Sequence, residues 1–144
     1  MSDPLYRKEV LRLAADATGA GRLPQACSTG RAFNPACGDR VTIDIALEEG
    51  RIAGIAHDTK ACVLTQAAAA ILGAELAGFN HDEVFELRAR VAAMLHGGEA
   101  PEAPFDVFAV FEGVAPHGNR HACVLLPLDA VLAAFETSET AEPG

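Results

Sequence analysis

The sequence predicts an α+β domain, and three observations carry that expectation. "RVTIDIAL" (residues 40–47) and "RIAGIAH" (51–57) read as two strands joined by the tight turn "EEGR". The segments before and after this hairpin repeat their apolar residues at helical spacing. A chain of 144 residues with 50% hydrophobic content reads as one domain, 1–144, long enough to bury a core without disulfide staples.

At the N-terminus, Ser2 or Asp3 can cap a helix with Pro4 in its first turn; Tyr6, Val10, Leu13 and Ala17 recur at helical spacing, and Gly19 and Gly21 end it. In the hairpin, Val41, Ile43, Ile45 and Leu47 alternate with Arg40, Thr42, Asp44 and Ala46, the period of a half-buried strand. Gly54 weakens the returning strand. Residues 63–76 read as a helix stopped by Gly78, and Asn80 with Glu83 forms a capping-box start for another, whose Val84, Leu87, Val91 and Leu95 line one face as far as Gly97. Phe105, Phe108 and Phe111 repeat every three residues, the spacing of a short core-facing helix. "NRHACVLLPLDAVLAAFE" (119–136) reads as helix with a break or fresh start at Pro127, followed by "ETSETAEPG" (136–144) as a disordered tail. The chain has no internal repeat.

Charge narrows the choice of partners. With 20 acidic against 11 basic residues and a net charge of −9, the surface repels phosphate backbones, which argues against nucleic acid and for a basic patch on a partner protein. The longest apolar stretch, "ACVLTQAAAAILGAELAG", contains Gln66 and Glu75 and reads as a packed helix, not a membrane span. The opening "MSDPLYRKEV" is polar, so the four cysteines are expected in the cytoplasm, where reduced thiols serve as ligands, nucleophiles or core residues.

The hairpin then organises the thiols. It delivers Cys37 just before one strand and Cys62 just after the other, and the outer ends of antiparallel strands meet, so cysteines separated by 24 residues become neighbours. Cys62 lies near a helix N-terminus, where the macrodipole and Lys60 both favour thiolate; it is the best reactive thiol in the chain. Cys123 lies in the first turn of the last helix, after Arg120 and His121. In "FNPACGDRV", Asp39 is close enough to Cys37 to share a cation or a proton with it. The same stretch also reads as an Asn34-Pro35 turn with Gly38 supplying backbone freedom, Asp39 solvated and Cys37 a small buried hydrophobe. Cys27 reads as a free or packed thiol, and His57, His81, His96 and His117 as surface or hydrogen-bonded histidines.

"NPACGDRV", "ACVLTQAAAAIL" and "RHACVLLPLDAV", in that order, resemble the three cysteine motifs of the NifU/IscU/SufU-like iron–sulfur cluster assembly scaffolds. The resemblance spans about residues 33–135, and "EGVAPHGNRHAC" is closest to the SufU-like branch. It differs in having Ala61 where glycine is frequent, Thr65 where serine is frequent and Ala122 where the IscU-like branch has a histidine, with His121 one position earlier; the chaperone-recruiting proline motif of that branch is missing.

The resemblance implies a small curved three-stranded sheet with helices packed on one face, the SufE/NifU-like fold, and thiols clustered at one end. It implies that Cys37, Asp39, Cys62 and Cys123 bind the metal, with Cys62 and Cys123 also the reacting thiols, and that Arg120 either bonds a cluster thiolate or pairs with a carboxylate. Three thiolates suit iron or zinc, whereas a carboxylate oxygen is harder and exchanges more readily, so this mixed set can hold a cluster and release it. Two functions follow. The first is a non-enzymatic scaffold that builds a labile [2Fe-2S] or [4Fe-4S] cluster and transfers it to apo iron–sulfur proteins. The second is a zinc-dependent sulfurtransferase that takes persulfide sulfur from a cysteine desulfurase, the expected partner in either case.

Overall fold

The computed structural model describes residues 7–24, 28–36 and 38–141. Glu49 and Gly50 take positive φ angles of 55° and 77°, the backbone of a primed hairpin turn that matches strand twist. They join β2 (Asp39–Glu48) to β3 (Arg51–Lys60), with Ile43 opposite His57 and Ile45 opposite Ile55. β3 runs past the predicted end at His57 and carries the chain almost to Cys62.

β1 (Ser28–Asn34) completes an antiparallel sheet in the order β1-β2-β3. Its inward positions, Ser28, Gly30 and Ala32, are all small. A Cβ on Gly30 would stand 2.1 Å from the Ala130 carbonyl oxygen, so only glycine lets the last helix lie directly on the strand. Ser28 Oγ donates to the Ala134 carbonyl at the same contact.

Four α-helices cover the inner face of the sheet and one another: α1 (Lys8–Asp16), α2 (Val63–Glu75), α3 (His81–Leu95) and α4 (His121–Ala141). α1 ends at Ala17, in the left-handed region, two residues before Gly19; its expected cap at Ser2 or Asp3, with Pro4 and Tyr6, lies outside the described residues. The small residues of α2 bury it on nearly every side, and Gly73 allows the Thr18 carbonyl to approach. α3 begins with the predicted capping box: the Asn80 side chain accepts from the Glu83 amide, and Glu83 accepts from the Asn80 amide. Residues 105–114 form a 3₁₀ segment, whose three-residue turn stacks Phe105, Phe108 and Phe111 into the core.

Three expectations need correction. α4 is continuous through Pro127 and helical as far as Ala141, so the break and much of the expected tail from 136 are absent. Proline is tolerated because its cost is met from outside: it lacks the amide that would bond the Cys123 carbonyl one turn back, and the Thr65 hydroxyl takes that carbonyl at 2.8 Å. The third correction is Asp44. It belongs to the polar side of a half-buried strand, yet it is 1% exposed, because Arg22 and Leu23 cross over that face and bond its carboxylate.

Candidate metal centre

The side chain of Asn34 accepts from the Ala36 amide and its carbonyl from the Gly38 amide, and Gly38 takes φ 76°, forming the turn that feeds Asp39 into β2. Asp39 shares the inner face with Val41 and Ile43, at the end where the sheet meets α2 and α4, and is buried. Cys62 is the N-cap residue of α2, in extended backbone, and Cys123 is buried in the first turn of α4. The ligand atoms of Asp39, Cys62 and Cys123 all lie within 4.8 Å of one another. Ligands of one tetrahedral ion, at bonds of about 2.0–2.3 Å, stand roughly 3.5 Å apart, so a small inward movement closes this set on a metal. Cys37 and Cys27 lie outside the described residues.

The carboxylate of Asp39 is thinly supported for a buried charge. It accepts from the Cys62 amide at 3.2 Å and from the Thr65 hydroxyl at 3.3 Å, and forms no ion pair among the described residues. The Thr65 hydroxyl has one proton for two acceptors, and the shorter contact is to the Cys123 carbonyl. Its oxygen also stands 3.5 Å from Cys62 Sγ, so Thr65 touches all three ligating residues. The sequence carries a signal for this in a threonine within an alanine-rich helix, three residues after Cys62, and a proline four after Cys123 that leaves a carbonyl to satisfy.

The two thiols divide a proton unequally. A hydrogen bond from Cys123 lowers the Cys62 pKa, helped by Thr65 and opposed by burial and the charge of Asp39. Cys123 is raised by that same hydrogen bond, by burial and by the negative charges of Cys62 and Asp39, with Arg120 acting against the rise. Both shifts run the same way: they favour the thiolate at Cys62 and the protonated thiol at Cys123. The expected lowering of Cys62 is present, but Lys60, exposed at the end of β3, is not its cause. His121 does not join the cluster: its Nε2 bonds the Ala115 carbonyl at 2.9 Å and its ring packs edge-on against His96. His57 is buried between Thr18 and Thr59, His81 contacts Asp82, and His117 is exposed.

Residues 5–123 match the family described as the NifU-like N terminal domain. The chain belongs to that family. The N-terminal domain of a NifU-like protein from Brucella abortus superposes with a TM-score of 0.90 at 30% identity, over 97% of this chain and 98% of the other. A putative iron–sulfur cluster assembly scaffold protein for the SUF system from Fervidobacterium islandicum has the same fold, with a TM-score of 0.84 at 21% identity over 94% and 99% of the two chains. In sequence, the iron–sulfur cluster assembly scaffold protein IscU of Thermotoga maritima is 23% identical over 122 residues, 85% of this chain and 86% of that protein. Among the described residues, no helix of this NifU-like domain is long and apolar enough to cross a membrane.

Proposed function

We propose that this NifU-like domain is a scaffold on which an iron–sulfur cluster is assembled at Cys37, Asp39, Cys62 and Cys123 and from which it is passed to apo-proteins. The observation that carries the reading is the convergence of a carboxylate and two thiols within 4.8 Å at the mouth of two helices. Family membership and the scaffold relatives support it. Iron and sulfide are cargo here, and the chain supplies donors of unequal strength. The thiolates hold, and the carboxylate of Asp39, already short of hydrogen-bond partners, is the arm that exchanges.

Sulfur delivery fits the division between the thiols. The Cys62 thiolate attacks the outer sulfur of a persulfide on a cysteine desulfurase; an S–S bond forms on Cys62, the donor's S–S bond breaks, and the donor cysteine leaves as thiolate. The same donor set also suits a second reading, a zinc-dependent sulfurtransferase in which zinc held by these residues would keep the thiols deprotonated.

Metal analysis and absorption spectra of anaerobically purified and reconstituted protein separate the two. A visible cluster chromophore that transfers to an apo-ferredoxin supports the scaffold; retention of zinc alone, with stimulated desulfurase turnover, supports the sulfurtransferase. Asp39→Ala is expected to lengthen the lifetime of a bound cluster in air, and Cys37→Ser to abolish it. Equal loss in both variants would make Asp39 an ordinary ligand and end the release argument.

A further inference from the structure

The outer face of the sheet is divided in two. Its far half, around Asp44 and Ala56, lies under Arg22 and Leu23. Its near half is uncovered among the described residues and carries a row of Phe33, Arg40 and Lys60 across the three strands, with Arg31, Thr42 and Asp58 in the next row. The strand register puts all six side chains on one face.

This half stands apart from the rest of the surface. In a chain of net charge −9 it presents three cations, Arg31, Arg40 and Lys60, against the single carboxylate of Asp58. Arg22, Arg51, Arg88 and Arg90 are each paired with a carboxylate, whereas Arg31, Arg40 and Lys60 make no ion pair among the described residues. Phe33 is 55% exposed, one of three large apolar side chains at the surface among the described residues, and the Arg40 guanidinium lies 5.7 Å from its ring centroid. Arg31, Phe33, Arg40 and Thr42 border a shallow recess of about 370 Å³.

We propose that this strip is a docking surface for an extended, carboxylate-rich segment of a partner protein that seats an apolar anchor against Phe33. Charge complementarity selects the acidic partner. Alternate residues of an extended segment stand about 7 Å apart, and strands lie about 4.8 Å apart, so successive carboxylates of such a segment can meet cations in both rows. A long polyanion such as RNA would have to approach the −9 chain beyond the strip, which a short segment avoids. The strip ends at the metal centre: Arg40 follows Asp39 directly, and Cys62 comes two residues after Lys60. A partner held there stands beside the thiols without covering them.

The test needs neither metal nor cluster, so it stands or falls separately from the scaffold reading. Isotope-labelled protein is titrated with a peptide of alternating glutamate and phenylalanine, and with its glutamine counterpart, while backbone amide shifts are followed by NMR. Shifts confined to residues 29–33, 40–42 and 58–60 are expected, absent with the glutamine peptide and weakened by salt. R31E/R40E should weaken binding about tenfold or more, Phe33→Ala less, and R7E/R12E, at the N-cap and on the body of α1 and the same change in charge elsewhere, not at all. Equal shifts around Arg7 and Arg12, undiminished binding by R31E/R40E, or tighter binding of a single-stranded oligonucleotide at the strip would each overturn the proposal.

Discussion

β2 buries two carboxylates five residues apart, and they are opposites. Asp44 faces outward and is satisfied completely: Arg22 donates to both of its oxygens, Thr29 donates at 2.6 Å and the Leu23 amide at 3.1 Å. Asp39 faces inward and has two contacts longer than 3 Å and no cation partner among the described residues. Odd parity sends Asp39 to the thiols, and even parity sends Asp44 to the loop that crosses the sheet. The difference marks which carboxylate serves the fold and which is held ready for an ion: a buried charge keeps its place either by being paired or by awaiting a partner.

The sharpest way to break this contrast is to truncate each carboxylate in metal-free protein. Asp44→Ala should cost about 2–3 kcal/mol, because it leaves the Leu23 amide and the Thr29 hydroxyl without their acceptor and frees the loop. Asp39→Ala should change the stability of the same protein by less than about 1 kcal/mol, since it also removes a poorly solvated charge. Urea unfolding measures both. Equal losses would show that Asp39 is as structural as Asp44.

Acid separates them next. Arg22, then Thr29 and the Leu23 amide, hold the Asp44 carboxyl at a pKa of about 2, against an ordinary 3.8. A carboxyl depressed on folding stabilises the protein fully above its unfolded value, and that contribution is lost as pH falls toward the folded value. The window is therefore about pH 4 to pH 2, and the loss across it is about 1–2 kcal/mol, less than the full shift implies because Arg22 is half exposed. Unfolding of Asp44→Asn should lack this step. A wild-type profile that matches Asp44→Asn over that range would remove the structural role assigned to Asp44.

What could be seen in the sequence follows the range of the forces involved. The hairpin, the Asn80 capping box and the phenylalanine triplet are local, and each formed where the pattern placed it. β1 entered only through family resemblance, because a strand whose inward residues are Ser28, Gly30 and Ala32 has no hydrophobic period; its pattern is set by α4 lying against it. The burial of Asp44 depends on Arg22, 22 residues away, and continuity at Pro127 on Thr65, 58 residues from the carbonyl it bonds. The site divides in the same way. Hairpin geometry pairs the start of β2 with the end of β3, which is expected to bring Cys37 to Cys62 and in the structure brings Asp39 there. Motif order adds Cys123, and the link among them is the Thr65 hydroxyl, whose signal in the sequence is the proline four residues after Cys123.

The smallest effect tests that link and the weak support it gives Asp39. Pro127 leaves the Cys123 carbonyl without its helical donor, so the Thr65 hydroxyl is drawn to it and gives Asp39 only the longer contact. Pro127→Ala restores an amide that can bond that carbonyl and releases the hydroxyl toward Asp39. Thr65→Val should therefore cost about 1–2 kcal/mol in the wild-type background and less beside Pro127→Ala, a coupling of about 0.5–1 kcal/mol in a double-mutant cycle of the metal-free protein. Thr65→Ser, which keeps the hydroxyl, should show no such coupling with Pro127→Ala. If the two substitutions are additive, the proline and the threonine are independent, and the thin support of Asp39 is not a consequence of where the helix carries its proline.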